Sequence, residues 1–262
     1  MNRFILEHDG LSLSYLDSGG SGPVLIALHA HMMTGSTFSG LAEALAPEWR
    51  LLAPDQRGHG RSGHAASYTR DDYIGDLEAL FAHLRLDAAV VLGNSLGGPN
   101  AYQFAARHPG LVRALIIEDI GVEIADDTSF MLEWRGTYKT RAELAAKIVL
   151  RMLPYLENSI VQTSKGWQLV FNPHEMIASQ KCLNGDHWKD WLATNCPALV
   201  LRGRESKVTT QKHVDEMVAR RPNTSGSTLD GGHVLHFDNP IGFVSAVKEF
   251  LTQLPTIKPL ST

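Results

Sequence analysis

The sequence has little of what marks secreted, nucleic-acid-binding or membrane-spanning proteins. Only Cys182 and Cys196 are cysteines among its 262 residues, which is too few for a disulfide framework. Lysine and arginine (24) are outnumbered by aspartate and glutamate (28), and the mixed charges indicate no basic patch for nucleic acid or an anionic membrane. No apolar run approaches the roughly 20 residues that cross a bilayer. We therefore expect a globular protein that acts on small, neutral or weakly charged molecules.

The start of the chain also lacks a targeting pattern. Residues 1–8 contain no long apolar core followed by a small-residue cleavage site. Neither cysteine has a cysteine or histidine at zinc-like spacing, so we interpret both as packing residues with free thiols. These absences predict a cytoplasmic protein that uses no metal and no other cofactor.

Strand-like apolar runs and helical patterns alternate along most of the chain. A hairpin is predicted at residues 4–7 and 11–17 around Asp9-Gly10. Strands are then predicted at 24–28, 51–53, 88–92 and 115–117, and helices at 38–45, 72–84 and 96–108. This order predicts an α/β fold with a mostly parallel sheet flanked by helices, whose ligands meet the carboxyl ends of the strands.

The most informative motif is Gly93-Asn94-Ser95-Leu96-Gly97, which directly follows one apolar run. The pattern places Ser95 on a tight turn between a strand and a helix. Such a turn strains the backbone and brings strand and helix close together, so the residues two before and two after the serine must be small. Gly93 and Gly97 meet that requirement, which indicates a nucleophilic serine.

Three further stretches accompany this motif. They are Leu28-His29-Ala30-His31, Asp55-Gln56-Arg57-Gly58-His59-Gly60-Arg61-Ser62 and Gly231-Gly232-His233. In this order and separation, the four stretches resemble the α/β-hydrolase family over nearly the whole chain. The resemblance implies an α/β-hydrolase fold and the activity of a serine carboxylesterase.

The resemblance also implies which histidine is the catalytic base. The family places it in the loop after the last short strand, where His233 follows two glycines that let the loop approach the serine. His236 is a nearby competitor, but the spacing to Asp238-Asn239-Pro240 matches the family pattern only with His233 as the base.

The acid of the triad is the ambiguous member. The family usually carries it three residues after the glycine that ends strand seven, and in Gly203-Arg204-Glu205-Ser206 that position holds a serine. A minority of family esterases carry the acid after strand six, in a stretch resembling Ile117-Glu118-Asp119-Ile120. We therefore predict Asp119, with Glu205 as the alternative. Glu118 is third because neighbouring residues at a strand end point to opposite faces.

The family pattern assigns the oxyanion hole to the backbone N–H groups of Leu96 and His31. Ala30 replaces the family's glycine, which adds a Cβ where the backbone must bend. The imidazole of His31 is expected either near the nucleophile, where it would bond the oxyanion or steer substrate polarity, or turned to solvent.

The pattern changes between residues 121 and 190, where helices at 141–153 and 176–192 are predicted with no strand between them. We predict that this segment is a helical cap inserted after strand six, between core segments 1–120 and 191–262. Its aromatic residues are expected either to line an apolar pocket or to attach the cap to the core. The predicted substrate-binding residues of the whole chain are His29, Met32, Met33, Asn94, Trp134, Trp188 and Val234.

The predicted reaction is two-step hydrolysis of small to medium carboxylic esters with largely apolar groups. Thioester, lactone or carbon–carbon bond hydrolysis and perhydrolysis stay open on the same triad, as does a slow, hydrolase-like ligand receptor. The expected partner is a small-molecule ester, with neither nucleic acid nor membrane, and the expected state is a monomer or a homodimer.

A metal-dependent hydrolase is the alternative from another class. Its ligands would come from the histidine-rich loops, namely His29, His31, Asp55, His59 and His233. This hypothesis leaves Ser95 and its flanking glycines unexplained, so we disfavour it.

Overall fold

A computed structural model describes residues 1–255 of the chain. The strands are β1 (Asn2–His8), β2 (Leu11–Asp17), β3 (Val24–Leu28), β4 (Arg50–Pro54), β5 (Ala89–Asn94), β6 (Val112–Glu118), β7 (Glu123–Ile124), β8 (Ile160–Thr163), β9 (Gly166–Leu169), β10 (Gly185–Asp186), β11 (Ala198–Gly203) and β12 (Thr224–Leu229). The α-helices are α1 (Ser39–Leu45), α2 (Arg70–Leu84), α3 (Gly97–Arg107), α4 (Arg141–Ala145), α5 (Pro173–Leu183), α6 (Trp188–Trp191), α7 (Gln211–Arg220), α8 (Leu235–Asp238) and α9 (Pro240–Gln253). Three 3₁₀ helices cover Gly35–Phe38, Ser129–Trp134 and Leu150–Ser159.

Eight strands form the central sheet in the order β1-β2-β4-β3-β5-β6-β11-β12. Strand β2 is antiparallel to both of its neighbours, whereas every pairing from β4 through to β12 is parallel. The predicted hairpin forms at Asp9 and Gly10, whose φ angles are +48° and +77°. The mostly parallel sheet is therefore confirmed, and the carboxyl ends of its parallel strands meet at one edge.

Both faces of the sheet are covered, which explains the continuous apolar runs of its central strands. On one face, Ile26 and Val91 pack in a cluster with residues of α2, α3 and α7. On the other, Leu25 and Leu92 pack with residues of α1 and α9. Alternate residues of one strand thus enter different cores, as the two-residue period of a strand requires.

The residues between β6 and β11 contain strands, which corrects the prediction of helices alone. Strands β8 and β9 form an antiparallel hairpin, and β7 pairs with β10. The branched residues Ile160 and Val161 favour the extended backbone. Gly166, at φ +127°, adopts a conformation that other residues avoid at the turn of the hairpin.

The two predicted helices of this segment are also shorter than expected. Helix α4 ends at Ala145, and the chain continues through the 3₁₀ helix Leu150–Ser159, which contains Pro154. Proline lacks the N–H that a continuous α-helix needs. Helix α5 ends at Leu183, and Gly185 at φ +146° separates it from α6. A pattern of apolar spacing therefore overestimated the length of both helices.

A separate apolar cluster forms inside this inserted segment, around Met131, Trp134, Leu156 and Phe171. Helix α6 crosses the predicted end of the cap at residue 190, and both of its tryptophans, Trp188 and Trp191, pack into the core of the sheet. The cap boundaries at 121 and 190 stay a prediction, and residues 256–262 of the predicted core segment lie outside the described residues. Within residues 1–255, no helix has both the length and the apolar character to cross a bilayer.

Candidate active site

Ser95 lies on the turn between β5 and α3 with a left-handed backbone, φ +51°. Its N–H donates to the carbonyl oxygen of Glu118 at 3.2 Å, which fixes the turn to β6. The flanking glycines are required by space. A Cβ on Gly93 would lie 2.1 Å from the Gly97 carbonyl oxygen, and one on Gly97 would lie 2.2 Å from that of Leu28. The strained turn holds the serine above the end of the strand.

His233 lies in the loop between β12 and α8, and its Nδ1 is 2.7 Å from Oδ2 of Asp119, directly after β6. The Asp119 side chain is fully buried, whereas 27% of the His233 side chain is exposed. The N–H of Gly203 donates to Asp119 Oδ1 at 2.9 Å, and the hydroxyl of Ser206 donates to Oδ2. A buried carboxylate needs such donors, because burial removes its water.

Among residues 1–255, neither of the other two acid candidates forms a hydrogen bond with His233. Glu205 is exposed, and it is the neighbouring Ser206 that reaches Asp119. The side chain of Glu118 points away from Asp119 and pairs with His236. The geometry therefore places Asp119, rather than Glu205 or Glu118, against His233.

Ser95 and His233 line one cavity of about 490 Å³. Much of its wall is apolar and comes from the loop after β3, from the inserted segment and from the residue after His233. These residues are Met32, Met33, Phe130, Met152, Leu156 and Val234. Charged residues also line it, among them Arg151 and Lys207, and both are exposed. A mainly apolar wall with a few polar groups is typical of pockets for small organic molecules.

The two backbone N–H groups predicted for the oxyanion hole are those of Leu96 and His31. In the part of the chain that the structure describes, neither Leu96 nor His31 donates its N–H to another group. The loop carrying His31 bends at Met32, φ +69°, so the residue in the left-handed region is not Ala30. Alanine in place of the family's glycine therefore does not prevent the bend.

The comparison with known proteins identifies the family. The model of the α/β-hydrolase fold matches residues 23–174, which is more than half of the chain. The chain belongs to the α/β-hydrolase fold family.

Relatives of this α/β hydrolase match along almost their whole length. A 3-hydroxybutyrate-oligomer hydrolase from Cupriavidus necator is 27% identical, over 87% of this chain and 88% of that protein. The solved structure of a marine microorganism esterase is 26% identical, has a TM-score of 0.79, and aligns with 91% of this chain and 98% of its own. The structure of E-2-(acetamidomethylene)succinate hydrolase has a TM-score of 0.83 at 24% identity, covers 96% and 99% of the two chains, and shows the fold alone.

The imidazole of His31 is buried and is not turned to solvent. Only 4% of His31 is exposed, and its Nε2 lies 2.8 Å from the Oγ of Ser179, a residue of α5. The same Oγ lies 2.8 Å from the Tyr73 hydroxyl. Burial lowers the pKa of His31 to about 3, and the charges of Arg70 and His29 act in the same direction. His31 is therefore neutral at neutral pH and connects the loop after β3 to the inserted segment.

The structure places three of the predicted substrate-binding residues, Met32, Met33 and Val234, on the cavity wall. It does not place His29 or Asn94 there. Both are fully buried, His29 Nε2 accepts the N–H of Gln56 at 2.9 Å, and Asn94 Nδ2 donates to the carbonyls of Glu118 and His233. These two predictions are corrected: both side chains support loops beneath the site.

Trp134 and Trp188 do not line this cavity either. Trp134 is 2% exposed and packs inside the inserted segment. Trp188 donates its Nε1–H to Glu123 at 2.6 Å and lies beneath the Arg220 guanidinium, 3.7 Å from the ring centroid. The cavity is lined instead by Phe130, Met152 and Leu156, which the sequence did not single out because nothing in the pattern distinguishes them from ordinary core residues.

The residues of the metal-site alternative are engaged in other contacts. The His29 and His59 rings lie 5.0 Å apart, and the carboxylate of Asp55 accepts the N–H groups of Gly35 and Arg61 at 2.8 and 3.0 Å. Within residues 1–255, no three His, Cys, Asp or Glu side chains converge as metal ligands would. The predicted ligand set is therefore not brought together.

Proposed function

We propose that this protein hydrolyses carboxylic esters through Ser95, His233 and Asp119. One observation carries the proposal: Ser95 and His233 line the same cavity, and the far side of the imidazole is held 2.7 Å from buried Asp119. A hydrogen bond from Nδ1 to a carboxylate fixes the tautomer and leaves Nε2 to accept the proton of a serine hydroxyl.

The reaction proceeds in two steps. Ser95 Oγ attacks the ester carbonyl carbon while His233 takes the serine proton, and Asp119 stabilises the resulting imidazolium. The N–H groups of Leu96 and His31 stabilise the oxyanion, for which their lack of other acceptors is the support. The imidazolium then protonates the leaving alcohol. Water, deprotonated by His233, attacks the acyl-enzyme and releases the acid and Ser95.

The cavity supports small to medium substrates with largely apolar groups. Its volume of about 490 Å³ suits a short to medium chain, and the methionines Met32, Met33 and Met152 adapt to several shapes. The names of two relatives, the 3-hydroxybutyrate-oligomer hydrolase of Cupriavidus necator and the marine microorganism esterase, support the ester class. Thioester, lactone and carbon–carbon bond hydrolysis, perhydrolysis and slow ligand binding would use the same groups, so the experiment must separate them.

The test measures turnover of p-nitrophenyl esters of increasing chain length, with matched thioesters, lactones and a carbon–carbon bond substrate, in the wild type, Ser95→Ala and Ser164→Ala. Ser164 is an exposed serine outside the cavity, so its variant is the control. We expect the esters to be hydrolysed fastest and a fluorophosphonate to label every protein except Ser95→Ala. Undiminished ester hydrolysis by Ser95→Ala would overturn the proposal. Slow labelling by the fluorophosphonate, together with bound product and no turnover, would favour a hydrolase-like ligand receptor.

A further inference from the structure

A second histidine–carboxylate pair lies beside His233 and Asp119, and the proposed reaction does not use it. Glu118 immediately precedes Asp119, and His236 follows His233 by three residues. The Nδ1 of His236 lies 2.9 and 2.8 Å from the two carboxylate oxygens of Glu118, and its backbone N–H donates to the first of them at 3.0 Å. The side chains are 2% and 0% exposed, so no substrate reaches this pair.

The other side of the His236 ring reaches the loop that carries His31. Its Nε2 lies 2.7 Å from the hydroxyl of Thr37, in the 3₁₀ helix Gly35–Phe38 that ends this loop. The ring also packs against Phe38, with centroids 4.5 Å apart. With the proton on Nδ1, the ring donates to Glu118 and accepts from Thr37. One imidazole thus connects the end of β6, helix α8 and the loop of the oxyanion donor.

The backbone of Glu118 reaches the remaining parts of the site. Its carbonyl oxygen accepts the Ser95 N–H and the Asn94 Nδ2–H, both at 3.2 Å. Asn94 Nδ2 also donates to the carbonyl of His233 at 3.1 Å. Glu118 is therefore bonded, directly or through one side chain, to the turn of the nucleophile, the loop of the base and the loop of the oxyanion donor.

We propose that Glu118, His236 and Thr37 form a buried positioning chain for the active site. The chain holds His233 and the His31 amide at fixed positions relative to Ser95. It acts through these groups and does not touch the substrate. Catalysis is sensitive to such positions, since a displacement of 1 Å can cost about 100-fold in rate. A fully bonded buried network also fixes one arrangement more firmly than separate contacts do. The inference rests on the function proposed for Ser95, His233 and Asp119.

The test compares Thr37→Val, which removes the hydroxyl and keeps the shape, with Thr37→Ser, which keeps the hydroxyl. His236→Phe is added because an aromatic ring fits beside Phe38 and Phe243. We expect Thr37→Val and His236→Phe to lower kcat about tenfold with KM within about twofold, because transition-state contacts are lost while ground-state binding is kept. In the same two variants, the acid limb of the plot of kcat/KM against pH should also shift. Thr37→Ser should behave as the wild type.

Unchanged kcat and an unchanged pH profile in Thr37→Val, at a temperature where the variant is folded, would overturn the inference, even if its melting temperature falls. If His236→Phe does not fold, the Thr37→Val and Thr37→Ser comparison decides alone. Ser95→Ala is measured in parallel. Activity retained in Ser95→Ala refutes the proposed function, whereas an inactive Ser95→Ala beside a fully active Thr37→Val refutes only the positioning chain.

Discussion

Two histidine–carboxylate pairs begin at the end of β6, and their surroundings separate them. Asp119 holds His233, whose side chain is 27% exposed and lines the cavity. Glu118 holds His236, whose side chain is 2% exposed and packs between aromatic rings. The residue types are nearly the same in both pairs. The comparison teaches that access to the cavity, and not the histidine–carboxylate pair itself, distinguishes the pair to which we assign proton transfer.

The largest expected difference is between the two carboxylates. We expect Asp119→Asn to lower kcat on a p-nitrophenyl ester by about 10⁴, because the amide favours the wrong histidine tautomer and cannot stabilise an imidazolium. Glu118→Gln keeps one acceptor for the His236 N–H. It should lower kcat by only about tenfold, because it would displace the proposed catalytic groups without removing one of them.

Glu205→Gln is the matched control for this comparison, since Glu205 is exposed and also lines the cavity. Its kcat should stay near that of the wild type. Equal losses in Asp119→Asn and Glu118→Gln would remove the distinction between the two pairs. A loss confined to Glu205→Gln would transfer the role of the acid to the end of β11.

A smaller effect is expected from moving the acid to β11. Ser206 donates to the same oxygen of Asp119 that contacts His233, so a carboxylate at position 206 lies within reach of the imidazole. We expect the double variant Asp119→Ala with Ser206→Asp to have a kcat about tenfold higher than that of Asp119→Ala alone. This gain would recover only a small part of the rate that the triad acid contributes. Asp119→Ala with Ser206→Asn, which has the same shape without the charge, is the control. Equal activity of the two double variants would show that position 206 cannot hold a working acid.

The sequence predicted the central sheet and the turn that carries Ser95, for physical reasons. Strands buried on both faces must be apolar throughout, so β3 and β5 were visible as continuous runs. The turn at Ser95 leaves no room for any residue but glycine on either side, and this requirement was visible as Gly93 and Gly97.

The inserted segment and the pocket were less predictable because their structure depends on distant contacts. The inserted segment contains a strand hairpin and short helices, for which local spacing gives an ambiguous signal. The position of Trp188 depends on contacts with Glu123 and Arg220. His236 resembled a competing base, and only the side chain of Glu118, from another element, shows why it is buried.

The smallest predicted effect extends the comparison to three other buried imidazoles, those of His29, His31 and His59, whose shifted pKa values make stability depend on pH. Burial lowers the pKa of His31 from 6.5 to about 3, and it also lowers those of His29 and His59. As the pH falls from about 6.5 toward 3, the unfolded chain binds protons that the folded chain does not, so stability decreases. Each such histidine contributes at most about 1.4 kcal/mol per pH unit.

Urea unfolding between pH 7 and pH 5 tests this. The free energy of unfolding should decline less steeply for His31→Gln than for the wild type. His174→Gln, which changes an exposed histidine, should follow the wild type. Parallel declines in all three proteins would mean that His31 is charged in the folded state, and its contact with Ser179 would then have to be that of an imidazolium.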